Sequence, residues 1–325
     1  MRYAPVAPLH LMRQLAEGNW RAMGGYHLLL AQDILRQPNE HEDFWPKWRR
    51  DNYAKGREVT IIVDNGAPEG EQVVKPARLA EAARLVHADV VILPDVIGNA
   101  GATVESTARA SSYFRSEGEF KLMGVAQGAT ASITLECLVD ISKHVDWLSL
   151  PKGWSERLRN PRFWTTRQIA QTYRMPMHVL GFTDDLSDDI LTARSHPLVK
   201  GIDSAMPIWL GQQGRSIASM VRTDYGRRPP FDKLPKQLKG QTLANILVIR
   251  QWLSQDLRGV GGQIGSSAVL SRGLPKTAGK SRSTAMSGAE LQGLRICEDC
   301  GVNWSGFEAH ACEGSTSSIR NSDDD

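Results

Sequence analysis

Short apolar, β-branched runs alternate with helical patterns through the middle of this chain, at about 25–35 residues per unit. The apolar runs predict six strands, at 59–63, 90–93, 122–126, 147–150, 177–180 and 199–202. Apolar spacing at the helical period predicts five helices between them, at 76–87, 103–116, 133–143, 167–173 and 186–193. Because strands and helices alternate one by one, the pattern predicts βαβ units built around a parallel sheet.

Six units leave room for one strand before Val59 and one after Asp203, which makes eight. An α/β fold of the (β/α)₈ TIM-barrel type therefore fits the chain of 325 residues. Before Val59, the helical spacing of apolar residues predicts a helix over 26–35. The alternative is a doubly wound open sheet, but no Gly-x-Gly-x-x-Gly motif follows a strand, so the barrel is favoured.

Polar residues stand where the predicted strands end, and in a parallel barrel those ends carry the active site. The strand-end residues are Asp64-Asn65-Gly66, Asp95, Gln127-Gly128, Lys152, Gly181 and Asp203-Ser204. One Asp at a strand end commonly caps the following turn, but three at one rim beside a carboxamide favour a binding site. Carboxylates can accept from the N1–H and amine of a guanine-type base, and Gln can donate to its O6. A further carboxylate can attack an anomeric carbon and form a covalent glycosyl intermediate.

Five of these segments, in order, resemble the tRNA-guanine transglycosylase superfamily over roughly residues 20–255. They are Asp-Asn-Gly-Ala at 64–67, Leu-Pro-Asp at 93–95, Met-Gly-Val-Ala-Gln-Gly at 123–128, His-Val-Leu-Gly at 178–181 and Gly-Ile-Asp-Ser-Ala at 201–205. Members of the family are zinc-carrying TIM barrels that exchange guanine for a 7-deazaguanine. The first segment departs from the Asp-Ser-Gly-Gly-Phe-Gln of the tRNA enzymes. It is more similar to the DNA-modifying branch, the 7-deazaguanine DNA transglycosylases of phages and bacterial islands.

The resemblance implies a role for each matching residue. Asp203 would be the nucleophile that attacks C1′, and Asp64 would be the acid/base that serves the leaving or incoming base. The residues expected to bind the base are Asp95, Asn65, Gln127, Gly128, Leu180 and Gly181. The family's stacking aromatic has no counterpart after Gly66, and the RNA-contacting run that follows the nucleophile in the tRNA enzymes is missing too.

The net charge of +3 averages over two strongly basic stretches. Residues 152–174 hold six basic side chains against one acid, and 215–239 hold seven against two. Both follow strand ends, so contact with nucleic-acid phosphates is weighed against the alternative of a solvated helix face. DNA is the predicted partner, with its target base flipped out, and tRNA is the alternative.

Cysteines crowd near the end of the sequence. Cys297-x-x-Cys300 followed by His310-x-Cys312 supplies four ligands suited to tetrahedral Zn²⁺, and a closed set of four predicts a structural site. The predicted organisation is a barrel over 1–256, a flexible basic linker over 257–289, a zinc-binding module over 290–314 and a disordered acidic tail over 315–325. Cys137, His27 and His178 are predicted to be structural.

The resemblance implies a glycosyltransferase (a pentosyltransferase) that exchanges guanine in DNA for a 7-deazaguanine such as 7-cyano-7-deazaguanine. Two other classes compete with it: a non-catalytic nucleic-acid-binding barrel, and a metal-dependent barrel hydrolase, which the missing His-x-His pair disfavours. Without a signal-peptide or membrane-spanning pattern, we expect a cytoplasmic protein, in the host cytoplasm if phage-encoded. The expected partners are DNA, the free 7-deazaguanine base, and accessory modification proteins or a second copy of the chain.

Overall fold

The computed structural model describes residues 2–18, 20–66, 74–151, 162–182, 186–219, 234 and 236–254, together with the backbone of 295–296 and 303–304. Eight strands form one parallel sheet. They are β1 (Arg2–Pro5), β2 (Tyr26–Leu30), β3 (Thr60–Asp64), β4 (Val90–Ile92), β5 (Lys121–Val125), β6 (Trp147–Pro151), β7 (Met177–Leu180) and β8 (Val199–Ser204).

Eleven α-helices lie in the described part of the chain. They are α1 (Leu9–Gly18), α2 (Trp20–Met23), α3 (Ala31–Arg36), α4 (Pro38–Tyr53), α5 (Pro76–Leu85), α6 (Ala100–Glu117), α7 (Ala131–Ser142), α8 (Arg162–Tyr173), α9 (Leu186–Ala193), α10 (Met206–Gln212) and α11 (Gly240–Ser254). Side-chain caps begin two of them, since Asn99 accepts from the Ala102 amide and Thr130 from the Ile133 amide. None of the described helices combines the length and apolar character needed to cross a membrane.

The strand order is β1-β8-β7-β6-β5-β4-β3-β2, so the sheet curls until its two outer strands lie side by side. This nearly closed, eight-stranded parallel barrel confirms the barrel part of the predicted fold class. Within the described residues, no backbone ladder joins β1 to β2. Arg250 of α11 lies at this seam and donates to the carbonyl oxygens of Tyr3 and Met23, both at 2.9 Å, and of Ala22 at 3.1 Å.

The six predicted strands are confirmed within two residues at each end, but the prediction for the flanking parts was wrong. Tyr26–Leu30, placed in a predicted helix, is strand β2, and only the residues from Ala31 onward are helical. Both remaining strands precede Val59, and no strand of the described barrel follows Ser204. All five residues of β2 are buried, so its sequence lacks the alternation that marks a half-exposed strand.

Alternate residues of the strands fill the barrel interior. Before the C-terminal ends of the strands, these interior residues are apolar and form one cluster, which includes Leu28, Ile62, Val90, Ile92, Met123 and Val125. Towards the C-terminal ends of the strands, the interior positions become polar, with Asp64 on β3, His178 on β7 and Asp203 on β8. The outer face of the sheet packs against the helices through a larger apolar cluster.

The predicted basic linker, zinc module and acidic tail lie outside the described residues, apart from two short strands. β9 (Arg295–Ile296) and β10 (Asn303–Trp304) pair antiparallel, with Ile296 opposite Asn303. Cys297, Cys300, His310 and Cys312 are not among the described residues. The structure therefore leaves their metal-binding role a prediction.

Candidate active site

The predicted site residues gather at one end of the barrel. Asp64 ends β3, and Asp95 and Gln127 stand just beyond β4 and β5. Gly181 follows β7, and Asp203 is the penultimate residue of β8. All four acidic or amide residues at this rim are at most 8% exposed, so their polar groups face an interior rather than bulk solvent.

Asp95 is the centre of a hydrogen-bonded carboxylate–amide cluster. Gln127 Nε2 donates to Asp95 Oδ2 at 2.7 Å, and Asn65 Nδ2 donates to Asp95 Oδ1 at 3.2 Å. Asn65 Nδ2 also donates to the Leu93 carbonyl at 2.8 Å, and the Gly98 amide donates to Gln127 Oε1 at 3.4 Å. The cluster thus ties the three loops after β3, β4 and β5 together.

Burial raises the pKa of the Asp95 carboxyl, and the donated hydrogen bonds of Gln127 and Asn65 oppose that rise. Each carboxylate oxygen has two lone pairs and each amide nitrogen has two hydrogens. Asn65 Nδ2 uses both of its hydrogens, on Asp95 and on the Leu93 carbonyl, whereas Gln127 Nε2 donates one bond to Asp95 and each Asp95 oxygen accepts one side-chain bond. A second hydrogen on Gln127 Nε2 and further lone pairs on Asp95 therefore remain for a planar ligand that presents both donors and an acceptor.

The turn after β3 fixes Asp64 and Asn65 in place. The Gly66 amide donates to Asp64 Oδ1 at 3.2 Å, and Gln32 Nε2 of α3 donates to the Asn65 carbonyl at 3.3 Å. Gly66 has φ +78°, and a Cβ there would collide with the Gln32 amide. Only glycine meets both conditions without strain, so Gly66 sets the geometry of the two candidate side chains before it.

Gly128 allows α7 to approach the end of β5. A Cβ on Gly128 would lie 2.6 Å from both the amide nitrogen and the Oγ1 of Thr134. The neighbouring Gln127 amide donates to the Sγ of Cys137, at 3.5 Å, which lies buried on α7. Gly128 therefore allows the close packing of α7 against the end of β5, and Leu180 packs against the apolar cluster inside the barrel. The predicted base-binding role of Gly128 and Leu180 stays a prediction.

Asp203 lies in a second cluster on β7 and β8. His178 Nε2 is 2.9 Å from Asp203 Oδ1, and the Gly181 amide donates to the same oxygen at 3.1 Å. Among the described residues, Asp203 Oδ2 has no hydrogen-bond partner. The hydrogen bonds that the described residues make to this carboxylate therefore all reach one oxygen, Oδ1.

His178 also contacts a tyrosine on β2, three strands away around the barrel through β8 and β1. Tyr26 Oη is 2.8 Å from His178 Nδ1, and the two rings are 5.6 Å apart. Gly201 makes this contact possible, because a Cβ there would collide with the Tyr26 ring and lie 2.7 Å from the Arg2 carbonyl. The sequence contained one usable signal for His178: it stands two residues before Leu180 on one strand and so shares its inward face.

Most of the predicted phosphate-binding residues lie outside the described side chains. Those within them are Arg167, Arg174, Arg215, Lys236 and Lys239. Lys152, the basic residue predicted at the end of β6, is outside them as well. The structure therefore defines the interior of the candidate site but only part of its predicted basic rim.

The described residues contain no group of three or more His, Cys, Asp or Glu side chains arranged to hold a metal ion. They contain instead a buried set of donors and acceptors around Asp95 and a second hydrogen-bonded carboxylate at Asp203. A comparison with protein-family models found no match, and a search of curated proteins found none either.

Proposed function

We propose that this protein is a guanine transglycosylase that exchanges guanine in DNA for a 7-deazaguanine such as 7-cyano-7-deazaguanine. The observation that carries the proposal is the pairing of two clusters at one end of one barrel. Among the described residues, Asp203 is hydrogen-bonded through Oδ1 alone, and Asp95 lies with Asn65 and Gln127 in a hydrogen-bonded edge that we assign to a purine.

Base recognition is assigned to Asp95 and its two amides. Asp95 would accept hydrogen bonds from N1–H and the exocyclic amine of guanine, and the second Nε2 hydrogen of Gln127 would reach O6. A 7-deazaguanine has the same edge, so one pocket would serve the leaving and the incoming base. Val96 and Ile97, which follow Asp95 and are 39% and 57% exposed, offer apolar surface beside that edge.

The proposed reaction has two displacements at C1′ of the nucleotide. In the first, Asp203 Oδ2 forms a bond to C1′, the bond from C1′ to guanine N9 breaks, and the electron pair leaves with the base. Asp64, as a carboxylic acid, gives that base a proton. In the second, the Asp64 carboxylate removes the N9 proton of the incoming base, whose N9 then bonds to C1′ and displaces Asp203.

The assignment to DNA rather than tRNA rests on the Asp-Asn-Gly-Ala segment and on the missing RNA-contacting run. Duplex DNA requires the target base to be flipped out, at a cost of a few kcal/mol. The two basic stretches would grip the flanking phosphates, which makes binding fall as salt rises.

A structural Zn²⁺ is proposed for the C-terminal segment on the basis of ligand chemistry and spacing. Cys297 and Cys300 stand in the six-residue connection between the paired strands β9 and β10, and His310 and Cys312 complete the donor set. Three thiolates and an imidazole form a closed tetrahedral set, so the zinc would stabilise the module and take no part in base exchange. Purified protein should contain one zinc per chain, and Cys297→Ser with Cys300→Ser should lose it while the barrel still unfolds cooperatively.

The test of the function uses the whole chain with radiolabelled 7-deazaguanine and either duplex DNA or tRNA. We expect label to enter DNA, and a denaturation-resistant protein–DNA adduct to form. Asp203→Asn should remove both by roughly 10⁴-fold or more, since nucleophile removal has effects of this order. The matched control is Asp140→Asn, an exposed carboxylate on α7 that pairs with Lys143.

Two other outcomes of this assay would each support one of the alternative functions. Label in tRNA but not in DNA would assign the same chemistry to the other nucleic acid. Salt-sensitive binding without base exchange, unchanged in Asp203→Asn, would contradict the proposal and support a non-catalytic binding barrel.

A further inference from the structure

His178 has two polar partners, and together they determine where its protons are. An ionised Asp203 can only accept, so the bond at 2.9 Å requires a proton on His178 Nε2. In a neutral imidazole the other nitrogen is then an acceptor, and Tyr26 donates its hydroxyl proton to Nδ1 at 2.8 Å. One tautomer satisfies every group in the chain from Tyr26 to Asp203.

The surroundings keep Tyr26 in its donor form. Burial raises the pKa of the Tyr26 phenol well above its ordinary value, and the negative charge of Asp203 raises it further, with Arg2 opposing. The phenol is fully packed against the interior, where the absent side chain of Gly201 leaves space for its ring. Tyr26 therefore cannot easily turn away from His178.

We propose that Tyr26 and His178 are positioning residues that aim Asp203. The phenol fixes the imidazole as its Nε2–H tautomer, and this N–H, together with the Gly181 amide, holds Asp203 Oδ1. The remaining oxygen, Oδ2, is then the one presented to the reacting carbon. We call the hydrogen-bonded chain from Tyr26 through His178 to Asp203 the relay. Its geometry does not depend on the activity of the protein, whereas its catalytic consequence rests on the proposed transglycosylase activity.

The first arm of the test reads the tautomer directly and needs no substrate. Long-range ¹H–¹⁵N correlation spectra of the ¹⁵N-histidine-labelled protein at pH 7 distinguish the two neutral tautomers from the imidazolium. The His178 signal is assigned by its loss in His178→Gln. We expect a proton on Nε2 alone, and a mixture of tautomers in Tyr26→Phe. A proton on Nδ1 in the unsubstituted protein, or a spectrum unchanged by Tyr26→Phe, would overturn the relay.

The second arm reads the chemical consequence in the base-exchange assay. Glutamine places its side-chain amide nitrogen near the position of imidazole Nε2, so His178→Gln should retain activity within about tenfold. His178→Leu has no donor and should lose about 100-fold in kcat, with an unchanged KM for the free base, because misplacing a reacting group by about 1 Å has an effect of that order. Equal losses in the two variants, or a leucine variant at the unsubstituted rate, would contradict a positioning role.

The two arms separate failure of the relay from failure of the function. If the unsubstituted protein exchanges no base in DNA or tRNA, the proposed function fails, and the tautomer spectra still decide the relay. Thermal unfolding of each variant checks that the barrel has folded. A His178→Leu variant that does not fold leaves the comparison of Tyr26→Phe with the unsubstituted protein to decide.

Discussion

Two histidines of this barrel are both fully buried, yet their surroundings differ in kind. His27 points outward from β2, lies 5.0 Å from the Trp45 ring and accepts a hydrogen bond from Trp48 Nε1 at 3.3 Å. His178 points into the barrel and connects a phenol to a carboxylate. Burial is therefore the same for both, and the chemistry of the partners distinguishes a packing histidine from one in a candidate site.

The period of a β-strand explains how such different environments lie so close together. Tyr26 and His27 are consecutive on β2, so their side chains point to opposite faces of the sheet. Tyr26 enters the interior and contacts His178, while His27 enters the layer between the sheet and α4. A single residue step thus separates the candidate relay from the structural core.

The largest effect of a single substitution on this comparison is expected from Gly201→Ala, which removes the space that the Tyr26 ring needs beside His178. The added Cβ would meet the Tyr26 ring and the Arg2 carbonyl. Because backbone on one side cannot move freely, we expect a loss of about 3 kcal/mol in the free energy of unfolding, at the upper end for overpacked cores. Urea denaturation measures this loss. Gly18→Ala, which has open space within 4 Å, is the control, and an equal effect of the two would contradict the prediction.

The second effect is a pH dependence of the unfolding free energy. It arises from two buried histidines outside the barrel interior, His27 on β2 and His41 on α4. Burial lowers the pKa of His27 to about 3, and the positive charge of Arg250 adds to this; burial also lowers the pKa of His41 to about 4. In the unfolded chain a histidine takes up its proton near pH 6.5, so the folded state loses stability as pH falls from there towards 3–4.

At pH 5 this difference amounts to about 2 kcal/mol for each of the two histidines relative to pH 7. Urea denaturation at both pH values measures it. His27→Gln should abolish about half of the loss in unfolding free energy that the two histidines together cause between pH 7 and pH 5. His41→Gln should abolish the other half. If the unfolding free energy depended on pH in both variants as it does in the unsubstituted protein, the fold would not be holding these two imidazoles neutral.

The smallest effect concerns a single indole hydrogen bond. Trp48→Phe removes the donor to His27 and preserves an aromatic ring in contact with Phe44 and Trp20. We expect a loss of about 1 kcal/mol in unfolding free energy. The base-exchange rate should not change, because Trp48 lies on the outer face of the barrel. A Trp48→Phe variant that lost base exchange but kept its stability would contradict the assignment of His27 to packing.

Much of the barrel could be predicted because its middle strands have strong local signals. The segment at 177–180 was predicted with the bounds it has, since β-branched and apolar residues end there at a glycine. β1 and β2 were not recognised. Arg2–Pro5 is too short to show a pattern, and the Leu residues of β2 continue into a true helix at Ala31, which makes the whole stretch look helical.

The candidate site was predictable only as a collection of strand ends. Asp64, Asp95, Gln127 and Asp203 could be placed on one rim, because the C-terminal ends of parallel strands share an edge. The partner of His178 could not be found in this way. Tyr26 is 152 residues away, on a strand that was not predicted, and the contact depends on the side chain that Gly201 lacks.

The seam between β1 and β2 has a consequence for how the nascent chain completes its barrel. Among the described strands, β1 pairs only with β8, which leaves the ribosome roughly 10–40 s later at ordinary rates of synthesis. Arg250, which connects the two sides of the seam, emerges later still. Until then β1 has two unpaired edges, so partly made chains are open to mispairing. Because β8 also carries Asp203, the strand that joins β1 to the sheet is the one that brings the candidate nucleophile into the site.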